Sequence, residues 1–387
     1  MTWKIYVRDK DNSRVGELDD YTEAKLAPVY NDVGSWSLTL SRKSLQAANL
    51  TTPGAGIIVT RDDEGPEQVV FSGPALSWEH RWDLAVNHVA ISGSTDDVCL
   101  LSRLVSPSPG QSTPPYDTQA VDVRTGVAST VIRQYVNVNL GPGAVPARRK
   151  SDLTLSGDPV IGASVRGEGR WDSDLLAFIQ PLAITGGVGF RVVQNGTGLL
   201  FEVYAPTNRS GEIKFSRDLG NLLAFQYSNR APTTNYIYVG ASGTGTTRII
   251  KEFQDPGSIA TWGRQEGPLA NESSTSDTTA ITQVGTEALE QGQEQAALSF
   301  TPIEIPGMRY GLDYFLGDTV TVQLEDTVTP YEESGQIVDQ IRNVEISLTP
   351  DKTTITPSVG TGQRGDIPRL FRAYRQLHRR VNNIERV

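Results

Sequence analysis

The sequence predicts an α+β fold that is mainly β, with two β-rich bodies flanking an α+β insert and a coiled-coil-like helix beyond them. Three observations predict it. Short β-branched and aromatic runs, punctuated by Gly, Pro, Asp and Asn, fill residues 1–105 and return over 208–358. Between them, from residue 119, the apolar period changes from two to that of a helix. From residue 366 a seven-residue apolar repeat takes over.

Residues 1–105 hold "WKIYVRD", "WSLTLS", "GIIVTRD", "QVVFSGPAL" and "LAVNHVAISG", spaced as in a barrel or sandwich. Residues 106–118, with "SPSPGQSTPPYD", have almost no apolar side chain and read as an exposed linker. In the α+β segment 119–207, Val127, Ala128, Val131, Ile132, Tyr135 and Val136 share one helical face. A second helix is expected after Asp172 or Ser173 as N-cap, with Leu175, Leu176, Phe178, Ile179 and Leu182 on its apolar side. Pro181 should kink or end it, since proline removes a backbone donor and crowds the preceding turn. "VGFRVVQ" and "LLFEVYAP" then form a hairpin around "NGTG".

Over 208–358, "TNYIYVGAS" and "TTRIIKEFQ" pair, and a helix at about 277–298 is capped near Asp277, with Ile281, Val284, Ala288 and Leu289 on one side. Strands resume at "LSFTPIEI" and end at "VEISLTPD". Between these lies "RYGLDYFLGDTVTVQLEDT", a structural turn feeding a strand. Gly317 supplies a positive φ, and the Asp318 carboxylate is placed to accept from the amides just beyond it. Residues 359–365 are a Gly-rich linker. In 366–387, Ile367, Leu370, Tyr374, Leu377, Val381 and Ile384 fall at steps of three and four, a seam suited to self-association or docking on a partner.

A formal net charge of −10 argues against a surface built to grip phosphates. The charged, alternating N-terminus has no apolar leader core, and no run is long and apolar enough for a transmembrane segment. The lone cysteine, Cys99, excludes an internal disulfide framework and a Cys-based zinc cage, and reads as a buried structural thiol. "GTGQRG", residues 360–365, matches a dinucleotide fingerprint but lacks the second strand that would build the crevice. His80, His88 and His378 have no metal-ligand spacing, and no P-loop or G-x-S-x-G elbow occurs. Glu287, Glu290 and Glu294 read as a solvated helix face. Trp78, Trp82, Tyr236 and Tyr238 read as cross-strand packing rather than sugar-stacking platforms. These residues predict no enzyme, no cofactor and no metal.

Five segments occur in a distinctive order: "YNDVGSWSLTL", "VVFSGPALSWE", "YVNVNLGPGAVPARR", "LLAFIQPLAITGGVGFRV" and "YGLDYFLGDTVTV". Together they resemble the Gp37-like minor tail proteins of long-tailed actinobacterial bacteriophages. That resemblance implies a tail-tip or baseplate hub in which the β-rich bodies are two tube-like β domains and three subunits form a ring. It implies a virion component made in the host bacterial cytoplasm and located at the tail tip. The implied partners are further copies of the chain as a homotrimer, the distal tail protein and other tail-tip proteins, and fibres or spikes, with DNA only as passing cargo. The alternatives are a tail adhesin for cell-surface glycan and a tail-associated hydrolase.

Overall fold

The computed structural model describes residues 3–62, 67–84, 87–271, 276–324 and 335–360. The heptad positions Ile367 to Ile384, the residues of "GTGQRG" after Gly360, and His378 lie outside the described residues.

The N-terminal body comprises β1 (Trp3–Arg8), β2 (Arg14–Leu18), β3 (Tyr21–Ala27), β4 (Ser35–Ser41), α1 (Leu45–Leu50), β5 (Gly56–Arg61), β6 (Gln68–Trp82) and β7 (Asn87–Ser94). A 3-10 turn, Asp96–Ser102, leads into the insert. The insert is built from β8 (Asp122–Val127), α2 (Ala128–Asn139), β9 (Leu153–Leu155), β10 (Ser164–Gly169), α3 (Leu175–Gly186), β11 (Gly189–Asn195) and β12 (Gly198–Tyr204). There follow β13 (Lys214–Ser216), β14 (Leu222–Arg230), β15 (Tyr236–Gly240), β16 (Ile250–Gln254), α4 (Pro256–Trp262), β17 (Ala270–Asn271) and α5 (Thr278–Gly292). The last strands are β18 (Gln295–Pro302), β19 (Thr319–Gln323), β20 (Gln336–Leu348) and β21 (Thr353–Gly360).

Strand β6 turns a corner. Its first half pairs with β5 as far as Gly56↔Pro74, and its second half pairs with β7 as far as Trp82↔Asn87. From there the sheet runs through β7, β4 and β3, and β3 pairs with β20 through Leu26↔Ile346. Neighbouring strands therefore read β6-β7-β4-β3-β20-β21-β18-β14, one uninterrupted sheet shared by the N-terminal and the later β-rich segments. Alternation places Leu26, Leu38, Ile91 and Ile346 on its buried face.

The insert closes over its own core, in which Val131, Ile132, Tyr135 and Val136 of α2 meet Leu176, Ile179 and Leu182 of α3 and Phe190 and Phe201 of the hairpin. The helical period expected from Val127 begins one residue later, because Val127 is the extended cap of α2 and the last residue of β8. The N-cap of α3 is Asp174, not Asp172 or Ser173; its carboxylate accepts from the N–H of Ala177 at 2.9 Å. Pro181 does not end α3, which continues to Gly186. The apolar face of α3, held in the insert core, outweighs the single hydrogen bond that proline forfeits.

Two further expectations change. The start of the 106–118 segment is buried rather than exposed: Ser106 N donates to Asn139 Oδ1 at 2.9 Å, and Ser108 Oγ accepts from the N–H groups of Thr118 and Gln119. Polar side chains supply there the hydrogen bonds that composition assigns to water. Nor is 208–358 one body, since Gln226–Ser299 forms a compact unit of its own, separate from the unit holding residues up to Phe225 and Phe300–Val359. The smaller unit has its own core of Val239, Ala241 and Ile281, with Phe253 and Val284 against it. Its helix stops at Gly292 rather than near 298, because Gly292 is buried and its carbonyl accepts from Thr233 and Thr234 before β18 begins.

Candidate functional site

Strand β11 is the outer strand of the insert's small sheet, paired with β12 on one side. On its other side, the alternate N–H groups of Phe190, Val192 and Gln194 donate to side chains of the preceding segments. The acceptors are Asn31 Oδ1 at 2.8 Å, Asp97 Oδ1 at 2.7 Å and Ser72 Oγ at 3.1 Å. Three side chains thus stand in for the missing strand. Asn31, held at φ +54, also donates to Val188 O and accepts at its own carbonyl from Gln180. Alongside, Arg8 makes a bidentate pair with Asp96, both nearly fully buried, and reaches Gln194 Oε1 at 2.7 Å.

The Leu-Gly-Asp turn sits at a second joint. Gly317 has φ +95, and a Cβ there would stand 2.6 Å from the Tyr30 ring. Tyr30 packs edge-on to Tyr204 of the insert, whose hydroxyl donates to Leu316 O. Asp318 is buried and accepts from Phe315 N, from Thr207 N and from Arg209 Nε at 2.8–3.0 Å. The amides it serves lie before the turn and in a distant segment, not just beyond it. Asp318 therefore ties β19 to the chain entering β13.

The face of the long sheet opposite its core carries small hydroxyls. Ser37 is exposed, Ser35, Ser92, Ser347, Thr354 and Thr356 are half-buried, and together they line a shallow groove of about 340 Å³. Lys25 on this face is paired with Glu23 at 3.0 Å, and Glu345 stands exposed among the hydroxyls. The sequence signal for this face lies in "WSLTLS", where the polar partners of the alternation are hydroxyls rather than charges.

The remaining candidates are scattered. Trp78 and Trp82 are not packed across strands; both are more than half exposed on the second half of β6. His80 shares that stretch, is exposed, and pairs with Asn87. His88 is half-buried on β7. Tyr236 is buried and bonds Glu252, with Arg264 stacked 3.6 Å over its ring, so it does follow the cross-strand reading. Tyr238 packs edge-on to it. Glu287 is half-buried rather than fully solvated, and burial pushes its carboxyl above the ordinary range despite a bond from Gln283. Cys99 is half-buried, and burial raises its thiol. Among the described residues no cluster of His, Cys, Asp and Glu could hold a metal, and no helix is long and apolar enough to cross a membrane.

The model of the Siphovirus ReqiPepy6 Gp37-like protein family matches residues 4–361. The chain belongs to that family. The Gp37-like chain also shares its fold with solved phage tail proteins. Over 92% of its length it superposes on 98% of the 43 kDa tail protein of prophage MuSo2 from Shewanella oneidensis, with TM-score 0.55 and 13% identity. A tail protein from Neisseria meningitidis MC58 gives TM-score 0.53 at 14% identity, covering 93% of this chain and 97% of that one. The prophage tail protein gp18 from Listeria monocytogenes EGD-e gives 0.51 at 10% identity, covering 97% and 99%. No curated protein sequence matches the chain. At these identities the likeness is one of fold, a mainly β tail-protein fold.

Proposed function

We propose that this Gp37-like chain is a structural, non-enzymatic component of a phage tail, acting as a ring-forming hub at the tail tip. Three copies enclose a channel that closes or extends the tail tube, and the assembly joins the distal tail protein and other tail-tip proteins to fibres or spikes. The observation that carries this reading is the long sheet itself, with one face buried in the cores and the other hydroxyl-lined and hollowed by a groove. A sheet face normally left to water in a monomer carries charges; a wall of small hydroxyls with its lysine already paired suits the inside of a passage for a polyanion. The heptad seam of Ile367, Leu370, Tyr374, Leu377, Val381 and Ile384 would tie the three chains on the axis.

The test is the mass and shape of the purified protein. Light scattering should give three times the 42.1 kDa chain, and negative-stain images should show a ring with a central opening. A single chain at every concentration, or a solid particle, overturns the reading.

A further inference from the structure

We infer that the two open edges of the long sheet, Leu76–Trp82 of β6 and Leu223–Phe225 of β14, are complementary halves of one contact through which each copy of this chain pairs with the next. The inference rests on the ring reading above and names the surface that closes the ring.

The edge of β6 opens at a definite point. Ala75 N still donates to Ala55 O at 2.8 Å, the last bond on the β5 side. Beyond it β6 keeps β7 on one side and, among the described residues, has no strand on the other. Every residue from Leu76 to Trp82 is exposed, with Leu76 at 60%, Trp78 at 57% and Trp82 at 68%. At the far end of the same sheet β14 is, among the described residues, the terminal strand, and Leu223 and Phe225 are 68% and 48% exposed.

An open apolar strand edge is a template for pairing with another chain, and folds usually blunt it. This chain does so elsewhere. The edge of β11 is capped by Asn31, Asp97 and Ser72. The terminal strand β2 is five residues long and carries Arg14 and Glu17. The β6 edge carries two charges, Glu79 and Arg81, yet Leu76, Trp78 and Trp82 stand exposed along it, and Leu222–Phe225 of β14 carries no charge at all.

The two edges also belong to one surface. Trp78 lies opposite Ile91, whose side chain is in the core, so Trp78 extends the buried face of the sheet past its last strand. A neighbour's β14 laid along β6 would continue that apolar face, and the hydroxyl face with it. Because the two edges differ, the contact is heterologous, and a heterologous contact that closes on itself makes a ring; pairing like with like would stop at two copies and leave an edge open.

Cross-linking tests this on the full chain with Cys99→Ser. One of Leu76→Cys, Trp78→Cys, His80→Cys or Trp82→Cys is combined with Leu223→Cys or Phe225→Cys, and the protein is mildly oxidised. At least one combination should give a covalent ladder of two and three chains, while every single-cysteine variant stays uncrosslinked. A dimer from a single-cysteine variant means that like edges meet, and overturns the contact. Independently, Trp78→Asp and Leu223→Asp should each reduce the light-scattering mass to one chain that keeps the parent's far-ultraviolet circular dichroism and still unfolds cooperatively, at a melting temperature lowered by no more than the lost association accounts for. A three-chain particle that survives both substitutions and never cross-links overturns the edge contact and leaves the ring reading standing. If that particle instead falls apart with Leu370→Asp and Leu377→Asp, the heptads hold it. A parent protein that is one chain at every concentration overturns both.

Discussion

The backbone N–H of Val192 donates to Asp97 Oδ1 over 2.7 Å, and the carboxyl that receives it is buried between the N-terminal body and the insert. Burial pushes the Asp97 pKa up to about 7, against the pull of the Val192 and Thr95 hydrogen bonds, and the neighbouring Asp96 and Asp32 carboxylates push the same way. A group that gains its strand-capping role through burial thereby also becomes sensitive to pH near neutrality.

The sign of that sensitivity follows from linkage. Between its ordinary value of 3.8 and about 7, Asp97 has lost its proton in the unfolded chain and keeps it in the folded one. The folded state binds more protons there, so this group's contribution to stability falls as pH rises through that window and is constant above it. Asp97→Asn keeps an acceptor for Val192 and removes the titration. Its melting temperature relative to the parent should climb between about pH 4.5 and pH 7.5, since every tenfold difference in proton affinity between the folded and unfolded chains is worth about 1.4 kcal/mol. A difference that stays flat in a melting series would show that the carboxyl titrates normally.

Arg61 is fully buried, and Glu304, from the later β-rich segment, is nearly so; they meet in a two-bond pair at 2.9 Å, with Tyr310 O as a further acceptor for the guanidinium. Removing one partner of such a pair strands a buried charge, at a cost of about 3–5 kcal/mol. Arg61→Ala should therefore lower the urea midpoint strongly. Arg61→Met with Glu304→Gln should cost less than the two single changes added, because no unpaired charge remains. Additive losses would mean that the pair contributes no coupling.

At the Leu-Gly-Asp turn two different penalties are separable. Gly317→Ala combines an unfavourable backbone, at φ +95, with a Cβ pressed on the Tyr30 ring, and should cost more than about 1 kcal/mol. Asp318→Ala leaves the N–H groups of Phe315 and Thr207 without their acceptor, at about 1–3 kcal/mol for each buried donor. Asp318→Asn retains acceptor capacity and should fall between the parent and Asp318→Ala in melting temperature. Equal losses from Asn and Ala would shift the weight from the amides to the Arg209 ion pair.

Periodicity makes the strands and the helices legible, because alternation and helical spacing are local properties of the chain. Tyr236 to Gly240 with Ile250 to Gln254, and the hairpin around Asn195 to Gly198, need nothing else. The joints are not legible in that way. Arg8 meets Asp96 from 88 positions away and Arg61 meets Glu304 from 243, and no window of sequence holds both. Yet three of the segments whose order marks the family supply other joints. "YNDVGSWSLTL" gives Tyr30 and Asn31, "LLAFIQPLAITGGVGFRV" gives Gln180 and Phe190, and "YGLDYFLGDTVTV" gives Gly317 and Asp318. Sequence misplaces a helix end where a neighbouring carboxylate competes for the cap, as with Asp174 beside Asp172. The separate unit at Gln226–Ser299 is hidden because β14 and β18, which lead into and out of it, read like any other strands.

The hydroxyl face gives the last prediction, which follows from the channel reading. Ser37 is exposed and Ser347 half-buried on the sheet face turned away from the core, so replacing both by arginine meets no core and should leave the melting temperature and the particle mass unchanged. If that face lines the passage, the assembled Ser37→Arg, Ser347→Arg protein carries a ring of new cations where a duplex must slide. Duplex DNA should then be retained by the variant and released as salt is raised, since each phosphate contact liberates condensed counterions, while the parent lets DNA elute freely. Retention by the parent at the same ionic strength would overturn the sliding argument. Retention by neither protein, with the particle intact, would place the hydroxyl face on the outside of the ring or turn the duplex away from it.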